Sequence, residues 1–88
     1  MLFMVIERFK DRDAVYRRFQ ECGRMLPEGL SYIDSWVEVK NERCFQLMEC
    51  NDASLFQQWT AHWDDLVEFE IVAVVSSKEA AAASTSNS

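Results

Sequence analysis

Apolar residues recur along this chain in two rhythms, one of period two and one near 3.6. Leu2–Phe9 (LFMVIERF) is dense in β-branched and aromatic residues, which predicts a central strand buried on both faces. Asp11 or Asp13 can then cap a helix, on which Val15, Phe19, Cys22 and Leu26 form an apolar stripe. Arg17, Arg18, Glu21 and Arg24 would face solvent; Gly23 weakens the helix, and Pro27 with Gly29 ends it. Tyr32–Val39 and Arg43–Cys50 alternate as strands about a polar turn. A second helix starts at Asn51-Asp52, with Leu55, Phe56, Trp59 and Trp63 on one side and His62 on the flank. Asp64-Asp65 sits badly at its end, where the helix dipole disfavours anions. Val67–Val75 predicts a fourth strand.

Register decides which hairpin residues face a core. A two-residue turn at Asn41-Glu42 sets Val37 against Gln46 and Trp36 against Leu47, mixing apolar and polar side chains on both faces. A turn at Lys40-Asn41-Glu42 with Val39 against Phe45, Val37 against Leu47 and Trp36 against Met48 segregates them. The second register is the expectation. It puts Ile33, Val37, Val39, Phe45 and Leu47 on a helix-packed face, and Tyr32, Asp34, Trp36, Glu38, Cys44, Gln46, Met48 and Cys50 on the other.

The order β-α-β-β-α-β predicts an α+β, ferredoxin-like domain over residues 1–75. Both helices cover one face of a four-stranded antiparallel sheet, with the first and third strands expected side by side and parallel. Residues 76–88 (SSKEAAAASTSNS) read as a disordered low-complexity tail, or at most a frayed alanine helix, and carry no candidate site. The other sheet face would stay open, and an open apolar face marks an interface. A homodimer through Tyr32, Trp36 and Met48 would cover it.

Composition narrows the classes. A chain of 88 residues with 49% hydrophobic content allows one small domain, which gains from a partner. A net charge of −6 argues against nucleic acid, whose binding rests on phosphate neutralisation. No run of about 18 apolar residues suggests a membrane span, and MLFMVIERF lacks the basic leader of an export signal. The expected location is the cytoplasm. Three cysteines give no disulfide framework. Cys44 and Cys50, roughly 20 Å apart along one strand, cannot pair, and buried free thiols are the plain reading. Neither CxxC nor HxxxH occurs, so no metal and no other cofactor is expected.

The stretches MVIERF, GRMLPEGLSYIDSWVE, RCFQLMECND and LFQQWTAHWDDLVEFEIV resemble a family of small bacterial proteins named only as a domain of unknown function. That family is similar in architecture to the dimeric α+β barrel superfamily. The resemblance covers roughly residues 1–75 and implies fold and dimerisation, without an activity. The wider superfamily includes cofactor-free monooxygenases, lactone isomerases, haem-degrading enzymes and stress-response dimers, whose pockets commonly lie between sheet and helices. No ligation pattern carries over to residues here.

Candidate chemistry centres on Glu49 and His62. Glu49, expected on the helix-packed face near Glu7 and Arg8, reads as a general acid or base, as a structural ion pair with Arg8 or Arg24, or as a carboxylate accepting from the N-terminal amides of the second helix. His62, the only histidine, could move a proton near neutral pH, or could be an edge residue with one hydrogen bond. Phe45, Trp59 and Trp63 could wall a pocket for an aromatic molecule, with Arg24 at a lid-like LPEG loop; core filling is the simpler role for the tryptophans. Two functions follow. One is a dimer that binds or transforms a small apolar or aromatic molecule without a metal, favoured by a sheet-helix cavity of about 300 Å³ or more. The alternative is a non-catalytic dimeric interaction or regulatory module.

Overall fold

Strand-forming runs and turn residues produce β1 (Leu2–Phe9), α1 (Arg12–Cys22), β2 (Ser31–Val37), β3 (Arg43–Glu49), α2 (Leu55–Thr60), β4 (Val67–Val74) and α3 (Ser77–Ser86). The computed structural model describes residues 1–40 and 42–86. Asn41, placed in the expected turn, and the last two residues of the expected tail lie outside the described residues. The architecture is α+β, with one four-stranded antiparallel sheet in the order β2-β3-β1-β4. The element order roughly matches the ferredoxin-like one, with α3 added at the end.

Two expectations about the sheet are corrected. First, β1 and β3 are neighbours but antiparallel, Leu2 facing Glu49 and Glu7 facing Cys44. The β2-β3 hairpin reverses the chain after the α1 crossover has returned it in the direction of β1, so β3 must oppose β1. Glu49 therefore lies at the far end of the sheet from Glu7 and Arg8. Second, the hairpin pairs Trp36 with Phe45 and Val37 with Cys44. Strand β2 stops at Val37, and Val39 is fully exposed in the connection. Glu38 closes the neck: its N–H donates to the Arg43 carbonyl (2.8 Å), and its carboxylate accepts from the Arg43 guanidinium (2.8 Å).

This register reverses the expected faces of β3. Cys44, Gln46 and Met48 point into the helix-covered core, while Phe45, Leu47 and Glu49 lie on the open face. The hairpin alone favoured the opposite choice, but β3 also pairs with β1, whose inward set is Phe3, Val5 and Glu7. A shift between Tyr32 and Asp34 leaves Ile33 unpaired in β2. The bulge allows Tyr32 and Ser35 to bond on one side (2.6 Å between hydroxyls), while Trp36 points to the other.

The core joins β1, β3 and β4 to α1 and α2 through Phe3, Val5, Val15, Met48, Phe56, Trp59 and Val67. Phe56 meets Phe3 edge to face at 4.9 Å between ring centroids, and Trp59 meets Phe69 at 5.5 Å. Helix α1 ends one turn earlier than the apolar stripe suggests, because Gly23 takes φ 67° and its N–H caps the Phe19 carbonyl at 2.7 Å. The Asp11 side chain caps the other end through the Ala14 N–H. The acidic pair after α2 has a structural use. Arg18 of α1 binds both carboxylate oxygens of Asp65, at 2.7 and 2.8 Å, and donates to the His62 carbonyl at 2.8 Å. The Asp64 carbonyl accepts from Lys10 at 3.3 Å. Helix α2 already ends at Thr60, so neither aspartate opposes its last turn.

Candidate functional site

Between α1 and the sheet lies a cavity of about 200 Å³. Val15, Tyr16 and Phe19 of α1, Phe9 of β1, Val37 of β2 and the two tryptophans Trp59 and Trp63 supply most of its wall. Its floor is polar. Glu7, Cys44 and Gln46 reach it from adjacent positions of β1 and β3, and Ser35 and Arg24 complete the lining. Phe19, Val37 and Tyr16 are 40%, 46% and 38% exposed, so apolar surface meets solvent at this helix-sheet edge.

The floor carries the unusual chemistry. Glu7 is 7% and Gln46 6% exposed, the two buried polar residues of the described core. Gln46 Nε2 donates to Glu7 Oε1 at 2.7 Å, and Gln46 Oε1 has no hydrogen-bond partner among the described residues. Such an orphaned acceptor costs about 1–3 kcal/mol. Burial raises the Glu7 pKa above the ordinary carboxylate range; Gln46, Cys44 and the Arg24 charge offset this only in part. Burial next to that carboxylate pushes the Cys44 thiol up to about 12, so it stays protonated at neutral pH. Cys50 is also buried and free, whereas Cys22 is exposed on α1.

One residue ties the rim to the wall. The Arg24 backbone carbonyl accepts from both Trp59 Nε1 (2.9 Å) and Trp63 Nε1 (3.1 Å). Its guanidinium carbon lies 3.6 Å from the centroid of Tyr32 and 5.1 Å from that of Phe19. Met25, the next residue, adopts φ 59°, a left-handed conformation that costs a non-glycine residue about 1–2 kcal/mol. The turn after Gly23 thus holds the Arg24 carbonyl where two indoles converge.

Of the residues singled out from sequence, the structure brings Arg24, Trp59 and Trp63 together at this cavity. Phe45 is not among them; it lies on the open face, paired with Trp36 and Ile6, with the Arg43 guanidinium 5.2 Å from its ring. His62 is exposed outside the lining, and its backbone rather than its ring serves Arg18. Glu49 is exposed at the open-face end of β3, opposite Leu2, and among the described residues it makes no ion pair with Arg8 or Arg24. Of the three residues expected at a dimer face, Trp36 is on the open face and 53% exposed. Met48 is wholly buried under the helices, and Tyr32 packs on Arg24 on that same side. The residues sequence reasoning missed are Glu7, Cys44 and Gln46. Their signal was the polar residue ending the apolar run of β1, legible once β3 is paired with it.

No group of three or more His, Cys, Asp or Glu among the described residues could hold a metal ion. No described helix is long and apolar enough to cross a membrane. No curated protein and no solved structure matches the chain. A family model described as Domain of unknown function (DUF3303) matches residues 1–87, and the chain belongs to that family.

Proposed function

We propose that this protein binds a small, largely apolar molecule between α1 and the sheet. The observation that carries the reading is the cavity itself, aromatic and aliphatic on its walls with a buried Glu7-Gln46 pair on its floor. Apolar pockets with a few convergent polar groups and a perturbed acid are the usual form of ligand sites. Its volume of about 200 Å³ falls short of the roughly 300 Å³ at which drug-sized pockets begin. It suits a single-ring ligand, since an apolar cavity of about 150 Å³ takes benzene. Free cysteines, two of them buried, fit a reducing cytoplasm.

A second reading concerns assembly, and the open sheet face favours it. Met4, Ile6, Phe45, Leu47 and Val72 form its centre, and Arg8, Arg43, Glu49, Glu68 and Glu70 surround them. An apolar centre within a charged rim is the anatomy of an interface. Two such sheets face to face would make a dimeric α+β barrel, with Trp36 in the shared core. In the alternative reading this association, rather than a ligand, is the whole function of a regulatory or interaction module.

The pocket is tested by closing it. Val37→Trp, at the half-exposed edge, should fill the cavity and leave the fold intact. Toluene added to the ¹⁵N-labelled wild type should shift the indole N–H resonances of Trp59 and Trp63 and leave that of Trp36 unmoved. In Val37→Trp these shifts should disappear. Equal shifts at all three indoles, or none, would remove the pocket reading.

A further inference from the structure

Among the described residues lining the cavity, Arg24 is the one with a permanent positive charge, and Glu7 the one carboxylate. Aromatic faces hold the guanidinium: Tyr32 at 3.6 Å and Phe19 at 5.1 Å from its carbon. Among the described residues it makes no ion pair. Stacking uses the face of the guanidinium and leaves its N–H donors, which radiate in the plane, for another partner. The Arg24 backbone is meanwhile fixed to the aromatic wall by the two indole N–H groups. A cation is thus pinned beside an apolar cavity without an ion-pair partner among the described residues.

Glu7 does not fill that role. It is bound to Gln46 on the floor and no Glu7–Arg24 ion pair forms; the Arg24 charge acts on it only through space and offsets in part the rise that burial imposes. A carboxylate arriving at the rim would meet the guanidinium and, on the floor, an acid that holds its proton more readily than an exposed one.

Resting on the binding reading above, we infer that the ligand is a small monoanion, an aromatic or branched apolar body bearing one carboxylate. The head engages the Arg24 guanidinium and the body lies against Trp59, Trp63 and Val15. Guanidinium and carboxylate match as a planar, charge-assisted pair, which a neutral head of the same shape cannot reproduce. The cavity, about 200 Å³, has room beyond the roughly 150 Å³ that holds benzene for a head of that size. The net charge of −6 repels anions from the molecule as a whole, so a preference for one must be local to Arg24.

Benzoate and benzamide provide the test, being alike in shape and different in charge. Titrated at neutral pH with the indole resonances as readout, benzoate should bind wild type at least tenfold more tightly than benzamide. Arg24→Met keeps the backbone carbonyl that anchors both indoles and should bring benzoate down to the benzamide affinity, with benzamide unchanged. Arg24→Lys should restore part of the preference, and its unfolding midpoint controls for damage to the turn. Equal affinities in wild type, or a benzoate preference that survives Arg24→Met, would overturn the anion inference while the Trp59 and Trp63 shifts still support a pocket. No shift with either compound would overturn both.

Discussion

The two faces of the single sheet carry their polarity against the simplest rule. Under the helices, β1 and β3 bury Glu7, Gln46 and Cys44 beside Phe3, Val5 and Met48. On the opposite face the same strands present Leu2, Met4, Ile6, Phe45 and Leu47, partly accessible and continued by the half-exposed Trp36. Two polar residues, Glu7 and Gln46, are buried within an otherwise apolar inner face, and a group of apolar residues lies on the outer one. Each inversion has a cost: desolvation of a carboxylate and an amide on one side, apolar surface left to water on the other. The inner face departs from the rule at a cavity, and the outer face at an apolar patch framed by charged residues. The two readings proposed above, a ligand at the cavity and a second sheet at the patch, start from these two departures.

Adjacent residues on β3 offer the sharpest way to break this comparison. Met48 is wholly buried, so Met48→Asp should place an uncompensated charge in the core and unfold the domain, a loss of about 4–5 kcal/mol or more. The proposed sheet-to-sheet dimer predicts that Leu47→Asp and Trp36→Glu, on the open face, leave a folded chain that elutes from size exclusion as a monomer, and that wild type elutes at twice that mass. Urea unfolding with chromatography separates these outcomes. A folded Met48→Asp would reverse the faces, and an unchanged Trp36→Glu dimer would remove the sheet-to-sheet reading.

A smaller effect concerns Glu7. Its folded pKa lies above its unfolded one, so between the two values the native state binds more protons than the unfolded chain. Stability contributed by Glu7 is therefore present below the unfolded value near 4.5 and is lost as pH rises through the folded pKa. Glu7→Gln can still accept the Gln46 amide, and it removes this loss. Its unfolding midpoint should exceed that of wild type at mildly alkaline pH, and the advantage should shrink toward pH 4. A wild-type midpoint rising through the same range relative to Glu7→Gln would mean that the carboxylate is stabilised as an anion.

The smallest perturbation is chemical. Iodoacetamide at neutral pH should alkylate the exposed Cys22 readily, while Cys44, buried and pushed up to about 12, and the buried Cys50 react only on unfolding. Intact mass should show one adduct before denaturant and three after. Fast labelling of Cys44 in the native chain would mean that the cavity floor is open to bulk water.

Much of the fold was legible locally. Strands and helices followed from period and caps: LFMVIERF has the composition of a central strand, Asp11 accepts at the start of α1, and Phe56, Trp59 and Trp63 pack as their helical spacing implies. Trp36 on an open face also followed from alternation. The candidate site was legible only in part, because Arg24, Trp59 and Trp63 are recognisable as types, whereas their meeting depends on a turn at Gly23-Arg24-Met25 that no periodicity encodes.

Within about one turn or one strand the sequence was enough: it set the order of the first six elements, the Asp11 cap of α1 and the spacing of Phe56 and Trp59, whereas α2 starts at Leu55 after Ser54 and not at the expected Asn51-Asp52 cap. Long-range packing set the rest: the face of β3, the antiparallel run of β1 beside it and the use of Asp65 to hold Arg18. A hairpin considered alone is free to hide its most apolar face. The same strand paired with β1 must match the inward set Phe3, Val5 and Glu7, so the central strand overruled the local preference of its neighbour. That long-range pairing brings Glu7, Cys44 and Gln46 together, and the cavity floor follows from it.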